Sequence, residues 1–142
     1  KLELHIYSFK IPEDLLVFIK TKHIKNVFFH GLVNYNSIPE VLSNYDVGLI
    51  LYSGHIINFV HNAPNKFFEY YNCGLDVWFP KEIKGLYPHI TSNVYPKVIK
   101  IDFQNLEIIN PYELIDKNNL LYHQNVYTAE SALNPLINEL QI

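Results

Sequence analysis

Apolar and polar positions alternate at the start of the chain, where Leu2-Glu3-Leu4-His5-Ile6-Tyr7 has the period of two expected of a β-strand. The pattern then changes. Ile11-Pro12-Glu13-Asp14 opens a helix, with Pro in the first turn and two acids near the positive end of the helix dipole. Leu15, Leu16, Phe18 and Ile19 give that helix an apolar face up to about Lys22. Asn26-Val27-Phe28-Phe29-His30 predicts a second short strand, ended by Gly31. Ser37-Ile38-Pro39-Glu40 has the form of a capping box, the Ser37 hydroxyl capping the third residue while Glu40 reaches back. The helix it starts is expected to run to about Tyr45.

Asp46-Val47-Gly48-Leu49-Ile50-Leu51-Tyr52 is nearly continuous in apolar residues, as a strand buried on both faces of a parallel sheet would be. A loop is expected from Ser53 to Asn62. Asn62-Ala63-Pro64 then starts a helix through Lys66, Phe67, Phe68, Glu69, Tyr70 and Tyr71, closed by Gly74 in the left-handed conformation. Leu75 to Phe79 reads as a strand stopped by Pro80, Glu82 to His89 as a short helix, and Lys97 to Ile101 as the last strand. Thr128 caps a terminal helix in which Leu133, Leu136, Ile137 and Leu140 recur at helical spacing. Strands and helices alternate from end to end without repeats or a linker. The expectation is one α/β domain over residues 1–142, a Rossmann-like doubly wound parallel sheet with helices on both faces.

Composition narrows the function. A chain of 142 residues, 49% hydrophobic and 18% charged, can bury a core and is not of disordered type. A single Cys excludes a disulfide framework and a Cys-rich zinc module, and fits a reducing, cytoplasmic compartment. All 11 basic residues are Lys, against 14 acids, so the Arg-bearing basic patch typical of nucleic-acid binders is missing. No apolar run approaches the roughly 18 residues of a membrane span, and the first residues lack the pattern of a signal peptide. Met is absent and the chain opens at Lys1 directly into a strand, so the sequence is expected to be a piece from the C-terminal side of a larger protein.

Ligands of open α/β sheets bind beyond the carboxyl ends of the strands. That rule selects Ser8 to Lys10, Gly31 to Asn36, Tyr52 to Lys66 and Phe79 to Lys81. The third stretch is the richest, because a long loop there meets a helix N-terminus with a Lys in its first turn, a setting for anions. Lys66 and Glu69, three apart, share a helix face. They would hold a phosphate and a sugar hydroxyl of one ligand, or only each other in an i,i+3 ion pair. Two readings also stand for Tyr70-Tyr71, stacking on a base or packing with Phe67 in the core. Cys73 reads as a small packed residue. His55 and His61 have no acid or Cys beside them to complete a metal site, and no metal site is expected.

Pro64-Asn65-Lys66-Phe67-Phe68-Glu69-Tyr70, followed by Cys73-Gly74-Leu75-Asp76-Val77, resembles the P-x-K-x-x-E-Y-x-x-x-G-x-P-V signature of family-4-like glycosyltransferases. In that family it lies in the C-terminal, nucleotide-sugar-binding half of the two-domain GT-B fold. Other pieces follow in the same order. Leu4-His5-Ile6-Tyr7 resembles the strand before a Gly-rich turn, Asn26 to Gly31 resembles the V-x-F-x-G strand, and Ile38-Pro39-Glu40-Val41-Leu42 with Tyr45-Asp46-Val47-Gly48-Leu49 resembles l-p-x-l-l-x-x-a-D-v-x-l. The terminal helix from Thr128 is similar to the family's closing helix.

The resemblance implies a domain that binds a nucleoside-diphosphate sugar against an acceptor held by a second, N-terminal domain outside this sequence. The sugar would pass to a polysaccharide or glycolipid, the usual work of bacterial relatives, with no cofactor beyond the donor itself and with this piece inactive alone. Glu69 is then the expected ribose ligand. Backbone amides from Asn62 to Asn65 would face the diphosphate with Lys66 close by, and Gly31, Leu32 and Val33 lie where the base packs. Retaining members carry a Glu eight residues before the ribose acid. Here that residue is His61, which either donates to the diphosphate and leaving sugar or is a surface His. Asp76 replaces the family's Pro, expected to alter only the turn. The family's Arg and Lys clamp would lie upstream of Lys1, and any peripheral membrane contact would come through the parent protein. The alternative is a non-catalytic α/β module that binds a sugar nucleotide or a partner protein, or one subunit of a split enzyme.

Overall fold

The computed structural model describes residues 2–118, 120–122 and 127–140. The chain divides into two compact units, Lys1–Ile38 and Pro39–Ile142.

In the first unit, β1 (Leu4–Tyr7) and β2 (Val27–His30) pair in parallel, Leu4 opposite Val27 and Tyr7 opposite His30. The connecting helix α1 (Glu13–Thr21) has Glu13 and Asp14 in its first turn as expected, with Pro12 as the N-cap rather than inside that turn. None of the described residues of this unit is fully buried, as befits a two-stranded ribbon with one helix. A run of stacked rings covers the strand pair: His5 lies 4.8 Å from Phe28 and 5.2 Å from His30, and Tyr7 lies 4.4 Å from His30, centroid to centroid. The capping box expected at Ser37 is not the cap that forms. Asn34 Oδ1 accepts the Asn36 N–H at 3.0 Å, and Ser37 sits inside the 3₁₀ turn Tyr35–Ser37 that Asn34 starts. An Asn side chain two residues away closes such a turn more locally than Ser37 could. Helix α2 (Ile38–Leu42) follows.

The second unit holds a three-stranded parallel sheet in the order β3-β4-β6, made of Val47–Leu49, Asp76–Pro80 and Val98–Ile101. Central position makes β4 the strand that is buried almost throughout, including Asp76, Val77, Phe79 and Pro80. The strand expected to be buried on both faces, β3, stops at Leu49, three residues short of Tyr52. Its Gly48 is needed, because a Cβ there would lie 2.2 Å from the Tyr70 ring. Helix α3 (Ile57–His61) occupies half of the expected loop, and α4 (Asn65–Asn72) runs from Pro64 to a Cys73 cap with Gly74 at φ +83°, the left-handed turn foreseen there. Phe67 and Tyr71 of α4 pack on Ile50, Val77, Phe79, Ile83, Leu86 and Val98 to form the core. Tyr71 is therefore a core residue, and Tyr70 packs against its edge.

Beyond β4 the expected short helix is a 3₁₀ helix, Lys84–His89, with Pro88 inside it. Two short strands were not foreseen: β5 (Val94–Tyr95) pairs in parallel with β7 (Leu121–Tyr122), each too short to show a period. Helix α5 (Pro111–Leu114) is capped by Asn110. In α6 (Ala129–Leu140) the Ser131 N–H donates to Thr128 Oγ1 at 3.0 Å, the cap expected at Thr128. Leu133, Leu136, Ile137 and Leu140 are all exposed, so the apolar stripe of α6 is uncovered among the described residues. The chain is thus an α/β protein built on small parallel sheets of two, three and two strands, rather than one continuous sheet. No helix among the described residues is long and apolar enough to cross a membrane.

Candidate functional site

Because β3, β4 and β6 are parallel, their carboxyl ends open on one side of the sheet. A cleft of about 470 Å³ lies there, formed by residues 51–55 after β3, Pro80 and Glu82 at the end of β4, and Phe103 and Gln104 after β6. Its polar groups are Ser53, His55, Glu82 and Gln104, and two aromatic rings, Tyr52 and Phe103, share the lining. No Lys lines it. Ser53 Oγ lies 2.6 Å from His55 Nδ1, which holds that ring in place. Gly54 lets the loop approach the next turn, since a Cβ there would meet Glu82 Cβ at 2.4 Å. The stem of Glu82 is fixed by that contact.

Beside the cleft, Lys81 Nζ and Asp102 Oδ2 pair at 2.6 Å, joining the residues that follow β4 and β6. Asp102 also accepts from the Gln104 N–H at 3.1 Å and from Asn105 Nδ2 at 2.9 Å. The Lys81 hydrogen bond holds the Asp102 carboxyl below its ordinary range, and the same bond raises Lys81.

Helix α4 leads into β4, so its first turn lies at the carboxyl side of the sheet. Lys66 Nζ stands 6.0 Å from the centroid of Tyr52, a wall of the cleft. The Lys66–Glu69 ion pair is not made. Half-buried Glu69 has no ion pair or side-chain hydrogen bond among the described residues, although its charge helps to raise Tyr70 and Cys73, both shifted chiefly by burial. Cys73, half-buried at the helix cap, is the packed residue expected.

The other expected residues are not among those that line the cleft. His61 is exposed at the last position of α3, on a helix rather than in a loop. Asn65 opens α4 and is exposed. The Asn62 backbone packs on Gly85, where a Cβ would come within 2.5 Å of its carbonyl. Gly31, Leu32 and Val33 follow β2 in the first unit. Among the described residues, no group of three or more His, Cys, Asp or Glu side chains could hold a metal ion. Sequence reasoning missed His55 as a cleft residue, along with Glu82, Phe103 and Gln104. The rule of carboxyl ends would have found the last two had it been applied to the strand ending at Ile101.

At the opposite end of the sheet, Asp76 does more than alter a turn. Fully buried, it accepts the Lys97 N–H on Oδ1 at 2.6 Å, tying the start of β4 to the start of β6, while Oδ2 is buried without a partner. Burial pushes its carboxyl up, against the pull of the Lys97 N–H and the Lys97 and Lys117 charges. The Lys97 ammonium donates to the carbonyls of Leu114 and Asp116, the latter at 2.8 Å.

Set against protein-family models, curated proteins and solved structures, the chain matches none.

Proposed function

We propose that the chain is the C-terminal, donor-binding domain of a GT-B glycosyltransferase that moves a sugar from a nucleoside-diphosphate sugar to a polysaccharide or glycolipid. One observation carries this reading. The helix with the Pro64-to-Tyr70 signature begins at the carboxyl side of a parallel sheet and brings Lys66 to Tyr52, a wall of the cleft. A half-buried Glu69 without a partner on the same helix supports it, since an unpaired carboxylate is available to ribose hydroxyls. The parallel sheet β3-β4-β6 of the second unit, with α4 crossing between β3 and β4, supports the doubly wound fold.

In this role the chain works by binding and orientation. Glu69 holds the ribose, and Lys66 with the first amides of α4 compensates the leaving diphosphate. Titration of the full-length protein with uridine, guanosine, adenosine and thymidine diphosphates and their hexose conjugates tests it. Binding of at least one conjugate is expected, weakened tenfold or more by Glu69→Ala. If none binds, or if Glu69→Ala changes nothing, the donor-site reading fails.

The exposed apolar face of α6 favours a second reading, a module that binds a partner protein without turnover. Sugar transfer by the full-length protein would exclude it.

A further inference from the structure

Within the donor-binding reading proposed above, we infer that the cleft beyond β3, β4 and β6 takes the transferred sugar ring itself, with His55, Glu82 and Gln104 setting which sugar is accepted. Charge and chemistry argue for it. Among the described residues the lining offers one carboxylate, one amide, one imidazole and the hydroxyls of Ser53 and Tyr52, and no Lys. A diphosphate placed there would face Glu82 with no cation in the wall, whereas a neutral polyhydroxyl ring would find acceptors and donors on several sides. Tyr52, itself stacked on Phe59 at 4.9 Å, and Phe103 add aromatic surface to the lining, suited to the C–H groups that sugar rings carry between their hydroxyls. The cation is outside the lining, at Lys66 on the Tyr52 ring. A sugar in the cleft with its diphosphate toward Lys66 follows the order of groups in a sugar diphosphate.

Two contacts fix the reading groups in advance. Ser53 Oγ at 2.6 Å from Nδ1 sets the His55 ring, and the close approach of Gly54 sets the Glu82 stem. His55 and Gln104 are exposed and Glu82 is half-buried, so these groups read a sugar hydroxyl by direct hydrogen bonding at an open cleft. His61, exposed at the end of α3, has no part in this.

The experiment compares the nucleoside diphosphate that binds best with its glucose, galactose and mannose conjugates, by calorimetric titration of the full-length protein. The matching conjugate should bind more tightly than the bare diphosphate. Glu82→Gln and His55→Ala should each weaken the conjugate about tenfold, the loss of one hydrogen bond to a charged or fixed group, while the bare diphosphate stays within about twofold. Glu82→Gln keeps the stem that packs on Gly54, so folding is preserved. If the sugar adds no affinity, or if both variants weaken diphosphate and conjugate alike, the sugar compartment is overturned while the donor reading stands. If Glu69→Ala abolishes binding and neither cleft variant matters, the sugar lies elsewhere. If no diphosphate or conjugate binds, the donor reading falls and this inference with it.

Discussion

The two ends of the β3-β4-β6 sheet handle polar groups in opposite ways. At the amino end Asp76 and Lys97 are buried, and both are spent on backbone: the carboxylate accepts the Lys97 N–H, and the ammonium donates to the carbonyls of Leu114 and Asp116. At the carboxyl end Ser53, His55, Glu82 and Gln104 line an open cleft, and the nearby Lys81–Asp102 pair is partly exposed. Parallel strands explain the asymmetry. Each strand is left at its carboxyl end by a chain that must cross back over the sheet, and the departing loops splay apart into a crevice. At the amino end the returning chains converge, so charges there are enclosed, and Asp76 Oδ2 is left without a partner. Polar groups at that end bind backbone; those at the other line an open cleft.

The strongest challenge to that contrast is Gly85→Ala. The carboxyl side depends on a close fit of backbone on backbone, because a Cβ at Gly85 would lie 2.5 Å from the Asn62 carbonyl. Neither segment has a flexible side chain to give way, so a loss of about 3 kcal/mol is expected in urea unfolding. Wild-type stability in this variant would show that the packing of Asn62 on Gly85 is looser than described.

Next in size is Lys97→Ala, which strips the ammonium from two carbonyls and should cost about 2 kcal/mol. Ligand binding at the carboxyl end should be unchanged once the variant is measured well below its melting temperature. Stability equal to wild type, or a selective loss of binding, would break the division of roles.

The smallest effect belongs to Asp76→Asn, which keeps the acceptor for the Lys97 N–H and removes a buried charge. The folded chain holds the Asp76 proton to higher pH than the unfolded chain, where a carboxyl titrates near about 3.9. The contribution of this group to stability therefore declines as pH rises from about 4 through the raised folded value, and is level above it. The Asn variant should gain about 1 kcal/mol at pH 7, and the gain should shrink as the pH is lowered. Thermal melts from pH 4 to pH 8 check this; a variant less stable by the same amount at every pH would refute it.

Local signals were legible in the residues wherever the physics is local. The Thr128 cap, the Gly74 turn, the start of α4 at Pro64 and the strands at Val27 and Asp76 all depend on neighbours within a few residues. Ser37 misled because two polar residues competed for one cap, and Asn34 was the nearer. Helix α3 and strands β5 and β7 escaped notice because five and two residues carry almost no period. The candidate site was legible only in part. Lys66 was placed at the carboxyl side by its position in the first turn of α4, but His55 and Glu82 come together through a Gly54 contact between loops, which no spacing encodes.

By itself the sequence determined an α/β chain, the order of its longer elements and a helix whose Lys and acid stand one turn apart. These follow from periodicity, capping and backbone preference, which act over a turn or a strand. Only the tertiary structure decided which strand is central, that Lys66 meets Tyr52 rather than Glu69, that Asp76 is locked into the amino end, and that His55 rather than His61 lines the cleft. Those outcomes depend on which loops leave the sheet side by side, and parallel pairing joins residues about 20 to 30 positions apart through crossovers whose packing no local rule specifies.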